Sequence, residues 1–180
     1  KTDEWSTPII VNNLPRSTVG VGPIDGAQLA FGPDGQLHVV WFQTNPTRIF
    51  YTRGITDSGG FETQRVAVQL GNEPLVAGPG VSVDSVGRVY LFWHARTGAH
   101  SDEASRAVYM TVSENNGEHF SPPKTISSLG AGACECCNIR GLVHNDDTLV
   151  VSYRGAANNS QRGQRLLKSM DAGRTWTDSL

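Results

Sequence analysis

Short runs of apolar residues, separated by turn-forming residues, repeat along the whole chain. The clearest runs are almost continuously apolar, which is typical of strands buried on both faces. They lie at residues 36–42, 88–93 and 148–153. A segment rich in Asp, Gly or Asn, residues that tolerate the positive φ of a hairpin turn, comes just before each of them. Since no segment has a convincing helical period, the pattern predicts an all-β protein.

Each of these runs is the second strand of a predicted four-stranded unit. First strands are predicted at 27–31, 80–83 and 140–143, and third strands at 48–52, 107–111 and 165–169. The fourth strand of each unit follows an aromatic residue that recurs at intervals of 56, 59 and 56 residues, as Trp5, Phe61, Phe120 and Trp176. Four antiparallel strands per unit at such a long period favour the blades of a β-propeller.

The aromatic repeat also predicts how the blades divide the chain. We expect a single partial propeller over residues 1–180. The chain begins on the last strand of one repeat unit and ends just before that strand would recur. Its predicted parts are an outer strand at 5–14 that completes a blade, blades at 15–70 and 71–130, and an incomplete blade at 131–180.

Composition argues against two classes of partner. The formal net charge is −2, so we expect no general attraction to nucleic acid. No apolar run approaches the length that a helix needs to span a bilayer, so we expect no membrane span. Candidate chemistry therefore has to come from local motifs.

One motif links the chain to a known family. Residues 169–176 fit the pattern Ser-x-Asp-x-Gly-x-Thr-Trp, and weaker copies lie at 113–120 and 56–61. This pattern resembles the Asp-box, or BNR repeat, of sialidase-like β-propellers, and the resemblance covers nearly the whole chain. The residues that match the two better copies are Ser169, Asp171, Gly173 and Trp176, and Ser113, Asn115, Gly117 and Phe120.

Physical chemistry gives these residue types a structural role in a hairpin turn. The Asp or Asn oxygen can accept backbone N–H groups within the turn, and Gly supplies a positive φ. The aromatic ring can fold inward and pack between neighbouring sheets. We therefore predict that Asp171 stabilises a turn and has no catalytic role.

The resemblance implies a ring of six blades, whereas three blades cannot close a ring. Two solutions remain open. Either two copies form a six-bladed ring, with strand 8–11 of one copy completing the blade that ends at Trp176 of the other, or the missing half belongs to a longer or hetero-assembled propeller. We expect the flanks of the two terminal sheets to be apolar. Because Asp-box proteins are mostly exported, the resemblance also implies a periplasmic or extracellular location.

Polar residues concentrate at one end of the predicted channel, which we call the mouth. Loops that lead into the first strand of a blade and loops that join its second and third strands meet there, because strand direction alternates. Such a face is the default site in a fold of this kind. The candidate binding residues are Gln28, Arg96, Asn138 and Asn158, and the catalytic candidates are Asp25, Arg140 and Arg154.

Three cysteines lie within four consecutive sequence positions, on a loop that leads to the mouth. Cys134, Cys136 and Cys137, with His94 and His100 on a neighbouring loop, form a predicted site for copper or zinc, since thiolates and imidazoles suit soft or borderline metals. The spacing lacks the second ligand pair of a zinc-finger pattern. A disulfide from Cys134 to Cys136 or Cys137 with a spare thiol, or inert packing, remains the alternative.

Two function classes follow from these residues. The first is an exported binding or assembly module whose mouth holds a metal, a glycan or a partner. The second is a glycoside hydrolase of the sialidase superfamily, or a fragment of one. Sialidase chemistry needs three arginines, an acidic Asp and a Tyr–Glu pair; Tyr153 ends a core strand, where we expect it to pack. The Arg-Ile-Pro motif of the family is missing, so the binding role is favoured.

Overall fold

The computed structural model describes residues 4–18, 26–56, 59–98, 102–158 and 162–179. Twelve strands form three antiparallel sheets of four strands, and each sheet is built from consecutive strands. The first sheet contains β1 (Gln28–Phe31), β2 (Leu37–Gln43), β3 (Thr47–Arg53) and β4 (Arg65–Gly71). The second sheet contains β5 (Gly80–Val83), β6 (Val89–Arg96), β7 (Arg106–Ser113) and β8 (Lys124–Thr125). The third sheet contains β9 (Arg140–His144), β10 (Thr148–Arg154), β11 (Gln164–Ser169) and β12 (Thr177–Ser179). The predicted all-β architecture of four-stranded blades is confirmed.

Helical structure is almost absent from the described residues. Only Glu103–Ser105 form a short 3-10 turn there, with the Asp102 side chain capping it. No helix in the described part of the chain is long and apolar enough to cross a membrane.

The sheets stack face to face, with the second sheet in the middle. Because side chains alternate along β6, Val89, Leu91 and Trp93 pack toward the first sheet. Tyr90 and Phe92 point the other way and pack against the third sheet. Both faces of β6 are therefore buried, which explains its almost continuous apolar sequence.

The first strand of each sheet lies on the inner side of the stack. Strand β5 contacts both β1 and β9, so these three strands stand side by side. This is the arrangement of strands around a propeller channel. The inner strands therefore fix where the channel and its mouth lie.

The fourth strand of the second sheet is shorter than expected. The apolar stretch after Phe120 predicts a strand over residues 121–126, but the ladder with β7 covers only Lys124 and Thr125. Ser121 and Ile126 each add one backbone hydrogen bond to β7. Pro122 and Pro123 come directly before Lys124 and have no backbone N–H for a ladder hydrogen bond.

The turn over residues 169–176 is held by a network of side-chain hydrogen bonds. The Asp171 carboxylate accepts the Ser169 hydroxyl at 2.7 Å and the Thr175 backbone N–H at 2.8 Å. The Ser169 Oγ in turn accepts the N–H of Gly173, whose φ is +83°. The rings of Trp176 and Phe92 then pack nearly perpendicular to each other, with 6.4 Å between their centroids, so the turn ends by packing on the preceding sheet.

The turn over residues 113–120 repeats this geometry. Ser113 donates its hydroxyl to the Asn115 amide oxygen at 2.8 Å and accepts the N–H of Gly117 at 2.8 Å. Phe120 packs edge-on against Tyr51 of the first sheet at 5.1 Å. In the weakest copy of the motif, Phe61 packs on the outer side of the first sheet; residues 57 and 58 lie outside the described part.

We expect the acid sensitivity of the fold to depend on Asp171. Hydrogen bonds from the Thr175 side chain and backbone, and from Ser169, lower the pKa of Asp171 from 3.8 to about 2. A depressed carboxyl pKa stabilises the folded state above the unfolded value, and this contribution disappears as the pH falls through the folded value. Asp171→Asn should therefore flatten the decline of the thermal midpoint between pH 3.8 and about 2.

The second turn already carries Asn at the matching position, Asn115, so the substitution should keep the turn intact. Glu114→Gln, which changes an exposed carboxylate in that second turn, is the control and should leave the acid profile unchanged. The two variants are compared by thermal melts followed with circular dichroism. An unaltered acid decline in Asp171→Asn would contradict the assignment.

The predicted outer strand at 5–14 pairs with none of the three sheets. Residues 4–13 have no regular secondary structure, and Trp5 is 99% exposed. The segment that follows covers the outer side of the first sheet: the Trp41 indole donates to the Ser17 carbonyl at 2.7 Å, and the Gln64 side-chain oxygen accepts the Asn13 N–H at 3.0 Å. Pairing of this segment with another blade remains a proposal.

The two outer flanks of the stack differ from each other. The first sheet has an apolar outer cluster of Val39, Trp41 and Phe50, partly covered by the segment just described. On the third sheet, Leu149, Val151 and Leu167 pack inward, so their neighbours along the strands face outward. That face mixes Val150 and Leu166 with Ser152 and Lys168, and it is more polar than the apolar flank expected.

Candidate functional site

The three cysteines lie on one tight loop that leads into β9. Cys134 is buried, Cys137 is half-buried and Cys136 is exposed. The Cys134 Sγ lies 3.2 Å from the Cys137 Sγ and 3.5 Å from the Cys136 Sγ. The Cys137 N–H donates to the Cys134 carbonyl at 3.2 Å, which closes a turn between these two residues. The loop therefore brings all three sulfurs together.

Backbone hydrogen bonds fix this loop to its neighbours. The Cys134 N–H donates to the Arg154 carbonyl at the end of β10, at 2.9 Å. The Glu135 N–H donates to the Glu103 carboxylate at 2.8 Å, and the Glu135 carboxylate accepts the buried Arg106 guanidinium at 2.9 Å. The loop is thus held by the second and third sheets at once.

Two arginines stand over the sulfur cluster. An Arg154 Nη1 lies 3.9 Å from the Cys137 Sγ, and an Arg162 Nη1 lies 3.7 Å from the Cys134 Sγ. Arg162 also forms an ion pair with Glu103. The sequence places Glu103 and Arg162 on loops that lead to the mouth, but neither is among the candidate site residues that it predicts. Their position on these loops does not distinguish them from the other charged residues there.

The pKa values of the two closest thiols diverge. Burial, together with hydrogen bonds to the other two thiols, raises the pKa of Cys134 to about 12. Burial also opposes ionisation of Cys137, but hydrogen bonds from Cys134 and Arg154 outweigh it and lower the pKa of Cys137. Of this pair, Cys137 is therefore the sulfur that ionises first.

The predicted metal set is only partly assembled. The sulfurs of Cys134, Cys136 and Cys137 all lie within 4.8 Å of one another, as a three-thiolate metal site would require. The His94 Nε2 instead faces the backbone carbonyl of Cys137 at 3.0 Å. Burial lowers the pKa of His94 to about 4, so the ring is neutral near pH 7 and uses this N–H on the carbonyl. His100 lies outside the described residues.

Gln28 and Arg140 come together on one cavity. The cavity has a volume of about 360 Å³ and lies between the three inner strands β1, β5 and β9. Leu29 and Leu142 also line it, and they are 61% and 72% exposed. Arg140, Gln28 and two leucines thus line the same part of the channel. Asp25, the predicted acid, lies outside the described residues.

The other candidates do not line this cavity. The Arg96 backbone N–H donates to the Glu73 carboxylate at 3.0 Å, and its guanidinium lies 4.0 Å from the same group. Asn138 is half-buried beside the cysteine loop, and Asn158 is exposed. Arg154 faces the sulfur cluster. The residues predicted for one mouth therefore lie in three separate places: at the cavity, beside Glu73 and at the cysteine loop.

Tyr153 lies in the core, as the sequence predicts. It is buried between the second and third sheets with Val151 and Leu167. Burial, with the nearby Asp178, raises the pKa of Tyr153 to about 12. Its hydroxyl is therefore neither accessible nor ionised at neutral pH.

Comparison with known proteins identifies the fold. No family model matches the sequence, and no curated protein matches it. Among solved structures, a Hadza microbial sialidase is similar with a TM-score of 0.65 and 18% identity, over 84% of this chain and 36% of that one. A Trypanosoma rangeli sialidase has a TM-score of 0.59 and 13% identity, over 85% and 30% of the two chains. The polysaccharide lyase Uly1 has a TM-score of 0.56 and 11% identity, over 85% and 40%.

These likenesses support a sialidase-like β-propeller fold. At such low identity they carry no residue-level correspondence. The chain spans about a third of the length of the two sialidase structures that it matches.

Proposed function

We propose that this chain is a carbohydrate-binding β-propeller module whose ligand carries a negative charge. One observation carries the proposal: Gln28 and Arg140 share the cavity between the inner strands with apolar side chains. Its volume of about 360 Å³ is within the usual range for small-molecule sites. A guanidinium suits a carboxylate, an amide suits a hydroxyl, and an apolar wall suits the C–H face of a sugar.

The structural likenesses support the carbohydrate part of the proposal by analogy of fold. Two sialidases and a polysaccharide lyase are among the similar structures, and these three are carbohydrate-active by name. Fold does not determine function, so the argument rests on the cavity and uses the likeness as support. By the same analogy with Asp-box propellers, we propose a periplasmic or extracellular location.

Binding is favoured over glycoside hydrolysis. Glycoside hydrolysis generally needs paired carboxyl groups, or a tyrosine nucleophile in the sialidases. None of the described residues that line the cavity carries a carboxylate. Tyr153 is buried elsewhere, and Arg154 faces a thiol. A glycoside hydrolase, assembled with groups outside the described residues, is therefore the weaker alternative.

The open side of the cavity suggests a further unit. Leu29, Phe31 and Leu142 are 61%, 67% and 72% exposed on the inner strands. We propose that a second three-bladed unit, from another copy or from a longer protein, stands across the channel from these side chains and completes the ring. In this proposal the chain keeps its division into blades at 15–70, 71–130 and 131–180, with segment 5–14 serving the adjoining blade.

The binding proposal predicts a preference for acidic sugars. Titration calorimetry with N-acetylneuraminic acid and glucuronic acid should give binding that exceeds binding of neutral galactose. Arg140→Ala should weaken binding of the acidic sugars by about 10–100-fold, the loss of a charge-assisted hydrogen bond of about 1.5–3 kcal/mol.

Arg48→Ala is the matched control, because Arg48 pairs with Gln69 on the outer strands and should leave binding unchanged. Equal affinity of wild type and Arg140→Ala for the acidic sugars would refute the assignment of the site. Failure of wild type to bind any of the three sugars would refute the proposed function.

A further inference from the structure

Cys134 and Cys137 are placed so that a disulfide bond can form between them. They are three residues apart across a turn closed by a backbone hydrogen bond. Their sulfurs are 3.2 Å apart, whereas a disulfide bond measures about 2.05 Å. A movement of roughly 1 Å, shared between two side chains, therefore suffices to join them.

The surroundings of the two sulfurs are unequal. Cys134 is buried, and the Cys137 side chain is half-buried with the Arg154 guanidinium 3.9 Å from its sulfur. Thiol–disulfide exchange needs an accessible thiolate as the attacking group, and a neighbouring cation stabilises it. The second thiol needs only to reach the first sulfur and can be buried.

We propose that Cys134 and Cys137 form a redox-active dithiol–disulfide couple that exchanges with small disulfides such as glutathione disulfide, and that Cys137 is the attacking sulfur. This activity is independent of the carbohydrate-binding role.

The reaction balances in two steps. The Cys137 thiolate attacks one sulfur of glutathione disulfide, forms a mixed disulfide and releases one glutathione thiolate. Cys134 then loses its proton to solvent and attacks the Cys137 sulfur, which releases the second glutathione thiolate. The protein dithiol loses two electrons and two protons, and glutathione disulfide gains them as two molecules of glutathione.

A metal would find few ligands beyond the three sulfurs. Within the described residues, the Glu103 and Glu135 carboxylates are paired with Arg162 and Arg106. The His94 Nε2 is bonded to the Cys137 carbonyl. The couple does not use Cys136, which stays an exposed thiol, whereas a three-sulfur metal site needs it. Replacing Cys136 therefore distinguishes the two roles.

The first experiment counts thiols in the intact chain. Reduced protein is equilibrated with excess glutathione disulfide, quenched with acid, alkylated and weighed by mass spectrometry. We expect two thiols to disappear together without a lasting glutathione adduct on either, both in Cys136→Ser and in wild type, where the exposed Cys136 separately takes up one glutathione. Loss of this paired disappearance in Cys136→Ser, or a wild-type chain that keeps all its thiols, would overturn the proposal.

The second experiment assigns the attacking sulfur. The double variant Cys134→Ser/Cys136→Ser keeps only Cys137 and should accumulate a glutathione adduct. Cys136→Ser/Cys137→Ser keeps only Cys134 and should form the adduct at least tenfold more slowly at pH 7. Equal rates would overturn the assignment. The thiol count in Cys136→Ser, which keeps the buried Cys134, tests the couple independently of how the double variants fold.

Arg154→Gln tests the cation beside the sulfur. In the Cys136→Ser background it should slow the attack on glutathione disulfide several-fold, and the rate should recover as the pH is raised. Arg165→Gln removes an arginine of the same sheet that pairs with Asp178, away from the cysteines, and should leave the rate unchanged. An Arg154→Gln rate equal to that of the control at every pH would overturn the role of Arg154 in activating Cys137.

Discussion

Phe92→Ala should lower the free energy of unfolding by about 3–5 kcal/mol. Phe92 has no exposed surface and lies in the contact between the second and third sheets. Its ring meets the edge of Trp176, and it lies against Gly141, where an added Cβ would come within 2.3 Å of the Phe92 ring. A packing arrangement this tight cannot collapse around the missing ring, so the cavity term adds to the lost burial.

Phe31→Ala is the matched control for this prediction. Phe31 is 67% exposed on the inner strand β1, so its removal should change stability by less than about 0.5 kcal/mol. The free energy of unfolding of both variants is measured by urea unfolding followed with tryptophan fluorescence. Equal slopes of the free energy against urea concentration would show that the same surface is exposed on unfolding. Similar losses in the two variants would mean that the sheets do not pack as described.

Gly132→Ala should destabilise the protein by about 2–4 kcal/mol, from backbone strain and overpacking together. Gly132 has a φ of +64°, which costs an L-residue energy, and an added Cβ would lie 2.5 Å from the Ala156 backbone. Backbone atoms cannot rotate aside as a side chain can. The loop would have to move, and with it Cys134, whose N–H is bonded to the Arg154 carbonyl next to this contact.

Gly130→Ala separates these two causes. Gly130 has a φ of +80°, but an added Cβ would meet nothing within 4 Å. This variant should therefore cost only about 1–2 kcal/mol of strain and leave the thiol chemistry intact. Urea unfolding and alkylation of the native protein are measured for both. If Gly132→Ala is no worse than Gly130→Ala, the close approach to Ala156 is not real.

The sequence predicted the inner parts of each sheet because those strands are defined by burial. Strand β5 is found at its predicted bounds, and β10 extends its prediction by one residue. Both are apolar runs fixed by packing against neighbouring sheets. The fourth strands were predicted less well, since β8 depends on backbone N–H groups that the preceding prolines lack.

In the candidate site, only contacts between residues that are close in the sequence were predictable. Three cysteines within four positions have to lie close together, and they do. Sequence could not show that His94 turns to a carbonyl, or that Arg96 pairs with Glu73, because these choices are made between side chains of different loops. The meeting of Gln28 and Arg140 depends on which strands are innermost, and this follows from blade order.

The turn aromatics give the stack a direction. Phe120 packs on the first sheet and Trp176 on the second, so each blade closes over the one before it. Any additional blade would therefore join head to tail, with the third sheet of one unit meeting the first sheet of the next. Joints of this kind close into a ring when the rotation per unit divides a full turn, and otherwise continue as an open filament. The face that carries Val150 and Leu166 would thus form one side of every such joint, and the rotation across that joint would decide whether the assembly ends or keeps growing.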